Sequence, residues 1–176
     1  MSDQTRSVQR IVEPNSVLEG AGVRLKRTIA SRALDYLDPF LLLDHFGSDN
    51  PDDYLAGFPW HPHRGIETLT YMLNGEFEHQ DHLGNRGAVS TGGAQWMRAG
   101  RGIIHSEMPT QDSQGLHGFQ LWFNLPAAEK MGAPRYRDLP LDALEHGTGE
   151  GFAVTAVSGD WQVAGTDLVG PLAELA

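Results

Sequence analysis

The stretch Ile66-Glu67-Thr68-Leu69-Thr70-Tyr71-Met72-Leu73 runs directly into Asn74-Gly75. Isoleucine, threonine and tyrosine suit a pleated, half-buried backbone better than a helix, where branching at Cβ crowds the preceding turn. Asn-Gly supplies two residues that tolerate positive φ, as a tight hairpin turn requires. The stretch predicts a strand over 66–73 and a hairpin returning along Glu76 to His82, closed by Gly84-Asn85.

Outward from it the pattern repeats. Val23 to Ile29 alternates and reads as a strand edge. Tyr36 to Phe46 carries an apolar run in which Pro39 opposes a helix, leaving a buried strand. Ser48 to Ala56 is a turn-rich loop. Gln95 to Arg98 is a short strand before the Gly100-Arg101-Gly102 turn, and His117 to Leu125 alternates again. Pro126 to Arg137 predicts one helical turn at Ala127 to Lys130 and then a loop. Phe152 to Val157 and Trp161 to Val163 read as further strands. Short strands separated by turn residues indicate an all-β barrel or sandwich. The 21 glycines and 10 prolines agree, and 40% apolar residues in 176 suffice for a core. Residues 1–15 read as a polar arm, with no internal repeat or low-complexity tract in the chain.

The formal charge of -10 repels phosphate backbones, so direct nucleic-acid binding is not expected. The basic residues Arg24, Lys26 and Arg27 read as a solvated strand face. With no cysteine, disulfides, thiolate metal sites and cysteine nucleophiles are excluded. Met1 to Arg10 lacks the apolar run of a signal peptide, and no stretch approaches the roughly 18 apolar residues of a membrane helix. The expectation is a cytoplasmic protein without membrane contact.

The chemistry concentrates in two pairs. His61 and His63 are two residues apart, and a strand points such side chains to one face. Pro62 between them removes a backbone donor and indicates an edge or a strand start. His105 and Glu107 repeat the spacing. Two such pairs brought together would offer three imidazole nitrogens and a carboxylate, which suits iron, manganese, nickel, copper or zinc. An isolated pair of this kind is usually solvated or structural; the joint occurrence on a β pattern is what favours a metal. Glu67 competes with Glu107 for the carboxylate role, and strand parity does not choose between them. His45, His79, His82, His117 and His146 read as structural or solvated, with His117 a candidate to support a ligand from behind. Arg98 and Arg101 read as partners of barrel carboxylates or as attractors of an anionic ligand. Trp60 and Trp96 read as core or as pocket lining.

Phe58-Pro59-Trp60-His61-Pro62-His63-Arg64-Gly65-Ile66-Glu67-Thr68 resembles the first metal motif of the pirin family, within the cupin superfamily. Gln95 to Pro109, containing Gly100-Arg101-Gly102-Ile103-Ile104-His105-Ser106-Glu107, resembles its second motif. Leu37-Asp38-Pro39-Phe40, Asp44-His45-Phe46 and Gly118 to Leu125 add to the likeness, which spans about residues 20–140. The resemblance implies a cupin β-barrel, jelly-roll-like, as the N-terminal barrel of a two-barrel protein. It divides the chain into the arm, a metal-binding domain over 16–140, and 141–176 as a linker with the start of a truncated second barrel. It implies His61, His63, His105 and Glu107 as ligands, with Fe2+ the usual ion and Glu107 also catalytic. It implies a quercetin 2,3-dioxygenase that opens a flavonol ring with dioxygen. The alternative it implies is a non-catalytic, iron-binding redox sensor that binds a protein partner, as a transcriptional co-regulator or a modulator of a metabolic enzyme.

Overall fold

The computed structural model describes residues 7–110 and 114–172. In chain order the strands are β1 (Asn15–Glu19), β2 (Val23–Ile29), β3 (Phe40–Ser48), β4 (Phe58–His63), β5 (Ile66–Asn74), β6 (Glu76–Asp81) and β7 (Arg86–Ser90). They continue as β8 (Ala94–Arg98), β9 (Ile103–Pro109), β10 (Leu116–Asn124), β11 (Arg135–Leu139), β12 (Glu145–Gly149), β13 (Phe152–Ala156), β14 (Ser158–Val163) and β15 (Thr166–Pro171). Among the described residues the only helical pieces are short 3-10 turns at Pro51–Asp53 and Leu141–Ala143. Among the described residues no helix is long and apolar enough to cross a membrane.

Seven strands form one antiparallel sheet in the order β1-β2-β3-β10-β5-β8-β11, and four form a second in the order β4-β9-β6-β7. The two sheets close over Val23, Leu25, Phe46 and Met72 from the larger and Phe77 and Val89 from the smaller. Phe46 and Phe77 meet edge to face across the interior, with centroids 5.2 Å apart. This is the expected all-β cupin barrel. The outer face of the large sheet is covered as well: Leu69, Trp96 and Phe123 pack against Leu139, Leu144 and Leu172. β5 is buried on both faces, with Met72 entering the interior and Leu69 the outer layer.

Several expectations are corrected. Asn74-Gly75 does not turn a hairpin: β5 pairs with β10 and β8, whereas β6 pairs with β7 and β9. The chain crosses there from one sheet to the other, and Gly75 at φ 88° makes the corner, with the carbonyl of Gly115 where a Cβ would stand. Only Gly75 takes the positive φ; Asn74 stays in β5, and the partner strand is a matter of topology. The Gly84-Asn85 turn does join a hairpin, β6 to β7. Second, β2 is not an edge, because β1 pairs along it from Asn15 to Glu19. Third, Arg27 is no solvated cation: it bonds both carboxylate oxygens of Asp44 at 2.8 and 2.7 Å and Glu19 at 2.8 Å. In place of the helical turn expected at Ala127–Lys130 the chain makes a hydrogen-bonded turn, with the Glu129 and Lys130 amides donating to the Pro126 carbonyl. The loop expected beyond it contains β11, which pairs with β8.

Candidate metal centre

Pro62 lies where its missing N–H costs nothing, since β4 is an edge of the four-stranded sheet. On the other flank β4 pairs with β9, and His61 stands directly opposite His105. Alternation along both strands turns His61, His63, His105 and Glu107 to the barrel interior. One ligand atom from each of His61, His63 and His105 lies within 4.8 Å of the others. The carboxylate of Glu107 is not in that trio but lines the same cavity, of about 920 Å³, as do His61, His63, Thr70, Gln120 and Trp122. Thr70 donates to Gln120 at 2.5 Å and makes a long contact of 3.4 Å to Glu107. Thr70 and Gln120 are paired residues of the large sheet, so the site is held between the two sheets.

The trio is set up to accept an ion. The Nδ1–H of His61 donates to the Pro59 carbonyl at 2.8 Å, which leaves Nε2 with its lone pair. His105 is 1% exposed, and its buried Nε2 has no hydrogen-bond partner among the described residues. A buried, unmatched nitrogen costs about 1–3 kcal/mol, a penalty that a coordinated cation removes. Burial, then repulsion from His61, holds the His63 imidazole down at about 4. Burial, then His61, His63 and His79, holds His105 down at about 2. Both are neutral at pH 7, as coordination demands. Burial pushes Glu107 up to about 7 against the hydrogen bond from Thr70. A divalent ion fits three imidazoles beside a carboxylate.

These shifts set the acid sensitivity of the metal-free protein. His63 and His105 titrate in the folded state below their ordinary 6.5, so their contribution to stability is complete above pH 6.5 and is lost as pH falls toward about 4 and 2. Glu107 titrates above its ordinary 4.5, so its contribution is complete below pH 4.5 and is lost as pH rises through about 7. Between pH 6.5 and 4.5 two histidine slopes oppose one carboxylate slope. The remainder from these three groups is about 1.4 kcal/mol per pH unit, and the lowered His45 and His79 add to it in the same sense. Urea unfolding of the metal-free protein should lose about 2–3 kcal/mol as pH falls across that window; a flat profile would contradict the burial of His63 and His105.

The competing carboxylate, Glu67, is engaged elsewhere. It is fully buried and meets Nε of Arg98 at 2.5 Å. His117 sits on Asp49 at 3.1 Å rather than behind a ligand. Trp60 is exposed at the cavity, whereas Trp96 is core. The aromatic against the site is instead Trp122, edge-on to His63 at 4.9 Å, with its buried indole N–H unpartnered among the described residues.

Sequence reasoning also missed His79 and Asp81, which are buried behind His105. Nδ1 of His79 lies 3.3 Å from Nδ1 of His105, and Nε2 of His79 lies 3.4 Å from Asp81. Their i, i+2 spacing was a signal that they share a face. The pairing of β6 with β9, which brings Asp81 opposite His105, was not visible.

A family model described as Pirin matches residues 22–123. A protein of Pseudomonas aeruginosa named "Putative quercetin 2,3-dioxygenase" is 52% identical over 155 residues, covering 88% of this chain and 54% of its own length. A crystal structure of quercetin 2,3-dioxygenase from Acinetobacter baumannii superposes with a TM-score of 0.76 at 29% identity, covering 91% of this chain and 58% of that one. A bacterial pirin from Escherichia coli in complex with nickel(II) superposes at 0.55 with 31% identity, over 71% of this chain and 53% of that one. The chain thus spans 54% of the length of the Pseudomonas relative and 58% of the Acinetobacter enzyme.

Proposed function

The chain belongs to the pirin family, and from that premise we propose that it is a metal-dependent dioxygenase that opens the ring of a flavonol such as quercetin with dioxygen. His61, His63, His105 and Glu107 are the proposed ligands and Fe2+ the proposed ion, with manganese, nickel, copper and zinc also compatible with the donors. The observation that carries the reading is the convergence of the His61, His63 and His105 imidazoles within 4.8 Å of one another, with His61, His63 and Glu107 lining a cavity of about 920 Å³. That volume lies at the upper end of small-molecule pockets and accommodates a flat polyphenol. The names carried by the Pseudomonas and Acinetobacter proteins support the same substrate class.

When bound, the ion would supply Lewis acidity toward adjacent substrate oxygens and access to dioxygen. The remaining work falls to the chain. Glu107, beside Thr70 on the polar side of the cavity, is placed to take a phenolic proton from a bound substrate. Thr70 and Gln120 hold the polar side of the cavity around that carboxylate. The Trp122 indole offers a donor to a substrate oxygen beside His63.

The test is oxygen uptake. Protein loaded with Fe2+ is mixed anaerobically with quercetin, and oxygen is then admitted. Oxygen consumption with bleaching of the flavonol band is expected, and it should vanish in His61→Ala. Uptake no greater than in that variant overturns the proposal.

A further inference from the structure

We propose that Asp81 and His79 are positioning residues for the metal centre: acting in series, they fix the proton of His105 on Nδ1, so that Nε2 presents its lone pair to the ion. The inference rests on the reading of His105 as a ligand.

With His79 and His105 neutral, as burial favours for both, the contacts leave one arrangement of protons. Asp81 is acceptor-only, and it is committed. Its Oδ1 accepts the backbone amides of Leu83 at 2.9 Å and Asn85 at 3.0 Å. Its Oδ2 accepts the Asn85 side chain at 2.7 Å and faces Nε2 of His79. A neutral imidazole has one N–H, and a carboxylate can only be met by that N–H. The proton of His79 therefore sits on Nε2, and its Nδ1 is bare. A bare nitrogen must be met by a donor, so the facing Nδ1 of His105 carries its own proton. His105, also neutral, is left with an unprotonated Nε2, the buried atom that lacks a partner among the described residues.

The surroundings are built to hold this chain in place. His79 is 1% exposed and stacks on Tyr136, with centroids 4.1 Å apart and planes 23° apart. Tyr136 is anchored by donating to Asp138 at 2.7 Å and accepting from Gln95 at 2.8 Å. Gly87 lies opposite His79 on β7, and a Cβ there would stand among Asp138 and the Tyr136 hydroxyl. The Tyr136 ring, itself held by Asp138 and Gln95, fixes the plane of the His79 imidazole. Ligand imidazoles are commonly oriented from behind in this way.

Asp81→Asn should invert the chain. The amide oxygen will stay beneath the Leu83 and Asn85 amides, because the NH2 group cannot accept them. The NH2 then faces Nε2 of His79 and drives its proton to Nδ1, and that of His105 to Nε2, where it blocks the ion. The experiment titrates metal-free protein with Co2+ by calorimetry and visible spectroscopy. Asp81→Asn and His79→Phe should bind about 10–100-fold more weakly, and His79→Asn, whose oxygen replaces the Nδ1 acceptor, should recover most of the loss. A packing role alone predicts the reverse order, because Phe keeps the stack on Tyr136 and Asn does not. Affinities unchanged from the parent overturn the positioning role, and failure of the parent to bind Co2+ overturns the metal-site reading beneath it. Nitrogen-15 spectra of the unaltered, metal-free protein need no variant to fold. They should report His105 protonated on Nδ1, and a proton on Nε2 overturns the inference.

Discussion

Replacing His105 by alanine is expected to lower the affinity for a divalent ion by about two to three orders of magnitude. Structural zinc sites release of order 10–16 kcal/mol over four ligands, about 2.5–4 kcal/mol for each, and a comparable share for one imidazole here gives that loss. His105 carries more of that than its neighbours because its Nε2 is already dry: it is 1% exposed and unmatched among the described residues, so coordination removes no water from it. His61 and His63 are partly exposed and give up some hydration on binding. The substitution also strips His79 of the group facing its Nδ1, so the metal-free protein should lose about 1–3 kcal/mol. Elemental analysis and calorimetry read the first effect and urea unfolding the second. His61→Ala separates them, since the His61 ring meets only the Pro59 carbonyl among its hydrogen bonds. It should weaken the ion with little effect on the metal-free fold. Binding within tenfold of the parent in both variants would mean that the trio does not act as one site.

What the sequence disclosed here was periodicity, and what it withheld was partnership. The strand at β5, the i, i+2 pairs on β4 and β9 and the edge character of Pro62 all follow from residue type and alternation, which are local. The Asn74-Gly75 corner shows the limit. The residues specify a positive-φ turn, yet whether the chain returns along its own sheet or crosses to the other depends on β10, more than forty residues on. The same blindness hid His79 and Asp81, which acquire a role only because β6 lies against β9. Arg27 read as a surface charge because neither Asp44 nor Glu19 could be placed beside it. β11 was missed for a different reason. Arg135-Tyr136-Arg137-Asp138-Leu139 is mostly charged, and its strand character comes from pairing with β8 and from the buried work of Tyr136 and Asp138.

The choice between Glu67 and Glu107, which parity left open, turns on Arg98, and a second large effect follows from it. Arg98→Ala is expected to destabilise the protein by about 3–5 kcal/mol, because it leaves the Glu67 carboxylate buried without its cation. The Glu67 side chain is 0% exposed and that of Arg98 only 15%, in register on neighbouring strands. Arg98 also reaches Glu129 at 2.9 Å, but that carboxylate is 48% exposed, and an exposed pair contributes about 0.2–1 kcal/mol. Glu129→Ala should therefore be nearly silent where Arg98→Ala is severe. The double change Arg98→Met with Glu67→Gln should recover much of the loss, since it removes the stranded charge together with its partner. Urea unfolding of the metal-free proteins checks all of these, and a cost for Arg98→Ala below about 1 kcal/mol would show that Glu67 is stabilised by something other than this pair. The distinction matters for the site. A carboxylate already neutralised by a bidentate-capable cation at 2.5 Å has little to gain from an ion, whereas Glu107, with only a long contact to Thr70, has much. Of the two, Glu107 is the one whose charge an incoming cation would stabilise.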